Sequence, residues 1–242
     1  MLRIAVDLDG TLADMDTALQ AEAERLFGAG VDLRASLRGR PEGSPGVETP
    51  DPTASSPGMR PAAPPPEPAR VRLSDRQQRQ LWTRVREIDN FWESLREVEP
   101  GAVARLALAA ASARWEVLFI TTRPPSGGDT TQVQSQRWLE AHGFERPSVF
   151  VVSGSRGHVA SALTLDAVVD DRPENCLDVA TDSQATPILV WRDAPDAVPA
   201  GAARLGITVV YSIAEALQRL EAGTGPQRRQ GFVGRLRSTL GV

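Results

Sequence analysis

Apolar residues in this chain fall into two patterns, short runs and stripes at helical spacing, and the two alternate along the sequence. The runs cover residues 2–6, 115–121, 149–152, 165–169, 187–191 and 207–211, with Arg3, Glu116 and Asp166 near the start of three of them. Each has strand length, and near-continuous apolarity predicts strands buried on both faces. Between them lie stripes at a 3.6-residue period. Leu19, Ala23, Leu26 and Phe27 mark a helix over about 14–27, which Gly28 and Gly30 end. Ser74 can cap a helix through Leu81, Trp82, Val85 and Ile88, and a shorter element carries Phe91, Trp92 and Leu95. Pro100 is expected to open a helix with Val103, Leu106, Leu108 and Ala111. Residues 130–141 form an amphipathic helix with Val133, Trp138 and Leu139 inward, ended by His142-Gly143. Short helices run from the 153–158 loop through Leu163 and onward from Pro173, and 213–220 gives the last. Alternation of this kind predicts an α/β fold with a doubly wound, mostly parallel, three-layered Rossmann-like sheet.

One segment breaks the alternation. Ten of the 19 prolines lie within residues 36–69, among Gly, Ser, Ala and Thr, with hardly a large apolar side chain. Such a stretch cannot bury enough surface to offset its loss of chain entropy, which predicts a disordered Pro-rich insert over 35–71. A Pro-x-x-Pro ligand inside 61–68 is the functional alternative. The expected division is therefore a core of 1–34 and 98–222, the insert, a small helical cap of 72–97, and a flexible basic tail of 223–242. In the tail Arg228, Arg229, Arg235 and Arg237 stand beside Phe232, Val233, Leu236 and Leu240.

Composition narrows the chemistry. A formal net charge of -4 and a pI near 5.4 speak against a partner that is a nucleic-acid polymer. All 27 basic residues are Arg, so a cation in any site must be Arg, His or a metal. Cys176 is the only cysteine, which leaves no disulfide and no cysteine cluster for zinc, and a cytoplasmic setting is expected. No apolar stretch is long enough for a signal peptide or a membrane span.

The strand ends carry the candidate residues. The first run delivers Asp7-Leu8-Asp9-Gly10-Thr11-Leu12. Asp7 and Asp9 are two apart and would point to the same side of a regular strand, and like charges held together call for a cation, most simply Mg²⁺. The second ends in Thr121-Thr122-Arg123-Pro124, where Arg123 either supports the turn or meets a substrate. Arg156 and His158 sit in the loop after 149–152, and a solvated loop Arg and a surface His are the plain alternatives. Asp170-Asp171-Arg172-Pro173 follows 165–169, and Cys176 reads as a small buried residue.

The run Asp7 to Leu12 resembles the first motif of the haloacid dehalogenase superfamily of phosphohydrolases, Asp-x-Asp-Gly-Thr-Leu. The resemblance implies that Asp7 attacks phosphorus to form an aspartyl-phosphate, and that Asp9 protonates the leaving oxygen and then activates water. It makes Thr121, or next Thr122, the hydroxyl that holds the phosphoryl group, and Arg156 the cation of the third motif, where the superfamily usually has Lys. Asp170 and Asp171 then complete a Mg²⁺ site with Asp7 and the backbone carbonyl of Asp9. Within the superfamily, the cap, Phe91-Trp92, Thr-x-Arg-Pro, the 136–143 helix and Asp-Asp-Arg-Pro look most like the 5'(3')-deoxyribonucleotidase family and its bacterial relatives. The implied partner is a small phosphorylated metabolite, with nucleoside monophosphates first if Phe91 and Trp92 line the pocket; Trp82 is divided evenly between pocket and core. The alternative is a catalytically silent binding or regulatory protein that keeps the fold.

Overall fold

The computed structural model describes residues 1–33 and 71–223. The Pro-rich insert, apart from Val71, and the basic tail, apart from Gly223, lie outside the described residues. The chain divides into two compact units, one comprising Met1–Met15 and the residues from Val85 onward, the other drawn from Asp16–Arg84.

The first unit holds six parallel strands, β1 (Arg3–Asp7), β4 (Glu116–Thr121), β5 (Ser148–Val151), β6 (Ala167–Asp170), β7 (Thr186–Val190) and β8 (Thr208–Val210). Their order is β5-β4-β1-β6-β7-β8. The expected α/β, doubly wound parallel sheet is thus present, and every strand predicted from an apolar run exists within two residues of its expected bounds. The helices are α3 (Ala102–Ala113), α4 (Thr131–Ala141), α5 (Arg156–Ala162), α6 (Pro173–Asp182) and α7 (Ile213–Ala222).

Alternation along the strands distributes these helices. Ala5, Ile120 and Val168 form one core with Ala160 of α5 and Val179 of α6. The next residues along, Val6 and Val169, turn to the opposite face and meet Leu106 of α3 and Ile213, Leu217 and Leu220 of α7. A strand that is covered on both sides has no polar position to give in its middle, which is why β1 from Ile4 to Val6 and β6 from Ala167 to Val169 are apolar throughout. Register then sets the site. Val6 pairs with Phe119 on one side and with Val169 on the other, so Asp7 and Asp170 end neighbouring strands at the same level. The chain winds from β1 outward in one direction and later returns to β1's other side, so the carboxyl ends of β4, β1 and β6 flank a topological switch point.

Two details differ from expectation. Pro100 does not open α3: Gly101 stands before it with φ 77° and the Glu97 carboxylate accepts from the Val103 amide at 2.9 Å, so a side chain three residues upstream supplies the cap. Leu108 is 70% exposed, since two positions from the buried Leu106 lies nearly the opposite face of a helix.

The second unit contains nearly all of α1 (Met15–Phe27), most of α2 (Asp75–Glu87) and a two-residue parallel ladder of β2 (Val31–Asp32) and β3 (Val71–Arg72). The ladder was not expected, because two paired residues leave no periodicity to read. Gln20 of α1 fixes its near side, donating to the Val31 carbonyl at 2.8 Å and accepting from the Leu33 amide at 3.0 Å. Ser74 caps α2 as predicted, in a reciprocal box where Gln77 Oε1 accepts from the Ser74 amide.

Candidate active site

Two strands and the turn after one of them bring three acids together. Asp7 closes β1, Asp170 closes β6 and Asp171 follows it, and one oxygen of each lies within 4.8 Å of the others. The turn after β1 depends on Gly10, whose φ is +84° and whose place leaves no room for a side chain: a Cβ there would come 2.3 Å from the Asp171 carboxylate. Thr11 Oγ1 donates to Asp171 Oδ1 at 3.1 Å. Asp170 is held by the Arg172 amide at 2.9 Å and by Asn175 Nδ2 at 3.1 and 3.0 Å.

Arg156 enters this cluster from the first position of α5. It is 3% exposed, and its Nη2 donates to Asp7 Oδ1 at 3.0 Å while Nε stands 3.7 Å from Asp170 Oδ2. The solvated-loop alternative therefore does not hold. Its depth is set by Gly157, where a Cβ would lie 2.1 Å from the Asp178 carbonyl of α6, so only glycine lets the two helices close. Nη1 and Nε of Arg156 are buried without a hydrogen-bond partner among the described residues.

One guanidinium faces three carboxylates. Burial pushes the Asp7 carboxyl well above the usual carboxylate range, Asp170 adds to it, and Arg156 opposes without prevailing. Burial likewise raises Asp170 against Arg156, the Arg172 amide and Asn175. Two acids that resist ionisation while packed on a third form a donor set suited to a hard divalent cation with oxygen ligands, as Mg²⁺ is, and a dication would reverse both shifts.

Asp9 belongs to a different environment. Its carboxylate is not in the three-acid group; it receives Arg123 Nε at 2.9 Å on both oxygens, Arg123 Nη2 approaches Oδ1 at 2.8 Å, and Thr121 Oγ1 donates to Oδ2 at 3.0 Å. Arg123 Nη1 donates to Ser135 Oγ at 2.9 Å, and its guanidinium carbon lies 5.0 Å from the Trp92 ring centroid. Thr122 points to solvent. Gln134 and Ser135, both fully buried on α4, were not anticipated, although positions 131, 134, 135 and 138 form one inward stripe with polar members. Val133, expected inward, is only half-buried.

Phe91 and Trp92 were expected to form an aromatic wall for substrate. The structure places them otherwise: Phe91 is 4% exposed and Trp92 0%, and their rings stack edge to face at 5.0 Å. Trp92 Nε1 donates to the Pro124 carbonyl at 3.0 Å and its amide to Gln134 Oε1 at 3.2 Å. They pack the floor beneath Arg123, where large apolar area and a satisfied indole N–H stabilise the core. Trp82 is half-buried in the second unit. His158 is exposed and lies 3.8 Å from Asp182. Cys176 is fully buried, with its thiol pushed up by burial and then by Asp170 and Asp171, as an inert core residue would be.

Solved structures share this arrangement of sheet and helices. A Thermotoga maritima protein described as a β-phosphoglucomutase matches with a TM-score of 0.52 at 17% identity, over 92% of this chain and 99% of that one. A hydrolase from Pseudomonas syringae matches at 0.50, also at 17% identity and over 92% and 99% of the two chains. What these two likenesses share with the chain is the fold. A haloacid dehalogenase-like hydrolase from Streptococcus pneumoniae matches at 0.47 with 12% identity, over 91% and 98%. No protein-family model matches the chain, and no curated protein does. In this fold the four strand-end segments named from the sequence all meet at one edge of the sheet, with Asp7, Arg156, Asp170 and Asp171 in one cluster and Asp9 and Thr121 beside it.

Proposed function

We propose that this protein is a Mg²⁺-dependent phosphomonoester hydrolase that works through an aspartyl-phosphate on Asp7. One observation supports this above the others. A buried carboxylate, held at 3.0 Å by a guanidinium with two unpartnered nitrogens, sits among two further acids at the switch point of the sheet. Asp7 Oδ attacks phosphorus, forming the new O–P bond as the bond to the leaving oxygen breaks, and Asp9 gives that oxygen its proton. Water then attacks the same phosphorus, its proton passes to Asp9, and the Asp7 carboxylate is restored. Arg156 directs its free N–H groups at phosphoryl oxygens while orienting Asp7. Mg²⁺ held by Asp7, Asp170, Asp171 and the backbone carbonyl of Asp9 would offset the phosphoryl charge. The Thr121 hydroxyl, expected to hold the phosphoryl, is taken up by Asp9.

The substrate class is a small phosphorylated metabolite. Nucleoside monophosphates head it through the motif resemblance alone, since the aromatic wall that favoured them is buried. The test is phosphate release from a panel of sugar phosphates and nucleoside monophosphates with Mg²⁺ and with EDTA. Turnover that requires Mg²⁺ and Asp7 supports the reading; absence of release from every substrate overturns it in favour of a binding protein.

A further inference from the structure

Arg123 is a cation that cannot reach a substrate. Its side chain is 0% exposed, closed in by Asp9, Ser135 and Trp92. All its directed contacts end on groups of the protein, and the strongest go to Asp9. A guanidinium sunk in the core is costly unless its charge is matched, and Asp9 supplies the matching charge; Nη2, 2.8 Å from Asp9 Oδ1, makes that ion pair without a well-formed hydrogen bond among the described residues. The pairing also fixes direction. Nε bisects the Asp9 oxygens at 2.9 Å to each, Nη2 stands beside Oδ1, and Thr121 Oγ1 adds a third approach at 3.0 Å to Oδ2. Rotation of the Asp9 carboxylate about its χ2 would break these contacts together. Arg123 itself is fixed at its other end by Ser135 Oγ at 2.9 Å and by the Trp92 face, which Gln134 and the Pro124 carbonyl hold in turn.

We propose that Arg123 is the positioning residue of Asp9, and that Thr121, Ser135 and Trp92 form with it a rigid seat that aims the acid–base carboxylate at the leaving oxygen and the attacking water. The inference rests on the phosphatase reading of the site. Arg123 does not bind the phosphoryl group; it acts through Asp9 alone. A seat of this kind matters most where a proton has to move. A leaving group as acidic as p-nitrophenol departs without one, whereas an alkoxide from an aliphatic phosphate requires it, and every phosphoenzyme needs a base for its hydrolysis.

The experiment compares kcat/KM for p-nitrophenyl phosphate and for the protein's best aliphatic phosphate, in wild type, Arg123→Gln and Ser135→Ala, with acid-quench measurement of phosphoenzyme. Expected for Arg123→Gln is a loss of about 100-fold or more on the aliphatic substrate. The loss on p-nitrophenyl phosphate should be several times smaller, with a burst of p-nitrophenol and accumulated phosphoenzyme. Ser135→Ala, which keeps the Arg123 charge, should show the same pattern more weakly, and it carries the test if Arg123→Gln fails to fold. Equal losses on both substrates with a raised KM would make Arg123 a binding or purely structural group and overturn the inference. So would unchanged kinetics in Arg123→Gln. Those outcomes leave the phosphatase reading standing; a wild type without turnover removes both.

Discussion

Asp7 and Asp9 leave the same strand two residues apart and meet opposite electrical surroundings. Asp7 is buried with two more acids against a single guanidinium, so its ionised form is short of positive charge. Asp9 faces a guanidinium of its own, held on both oxygens and backed by an aromatic ring. The first environment has room for a cation from outside; the second is matched by the protein's own guanidinium. In the proposed reaction this division sets a nucleophile that takes up a new phosphoryl group at every turnover next to an acid–base group whose aim should not vary.

The comparison is open to breaking from either side. Asp7→Asn keeps volume and removes the nucleophile, and should lower turnover by at least about 10⁴-fold in steady-state phosphate release while the protein remains folded. Near-normal turnover would end the claim that the two acids differ in role. On the Asp9 side, Trp92→Ala opens a cavity under Arg123 and should destabilise the protein by about 3–5 kcal/mol in denaturant unfolding. A much smaller cost would mean that the ring is not the support described.

Mg²⁺ at 100 times its dissociation constant should add about 2.7 kcal/mol to wild-type stability and far less to Asp7→Asn. Without metal the sign inverts. Because the folded-state value of Asp7 is raised, the folded protein binds the extra proton, and a stability penalty builds as pH rises from the ordinary carboxylate range to the raised value and is complete above it. Metal-free Asp7→Asn should therefore be more stable than wild type at neutral pH, with the gap closing as the pH falls from the raised value to about 4. A gap that widens on acidification would show that the Arg156 pair outweighs burial at Asp7. The smallest effect is expected from the Pro-rich segment: replacing residues 38–68 by a short Gly/Ser linker should alter stability by less than about 1 kcal/mol in thermal unfolding, since chain ends already paired in the β2–β3 ladder pay little for loop length.

The sheet was legible because strands buried on both faces must be apolar throughout, and the acids were legible because they end those strands. The seat of Asp9 was not. Arg123 stood open between two roles, since a sequence shows a charge without its depth. Ser135 and Gln134 interrupt the apolar stripe of α4 and pass for surface residues until Trp138, three or four positions on, fixes which side faces in. Phe91 and Trp92 misled for a related reason: aromatic residues in a cap suit a pocket and a core equally, and their burial with the hydrogen bonds of the Trp92 indole and amide assigns them to the core. The β2–β3 ladder left no trace because two residues make no pattern.

A chain without lysine has made the cations that pair with Asp7 and Asp9 from guanidinium groups. Reagents that acylate or alkylate lysine amines would find nothing to modify at either acid.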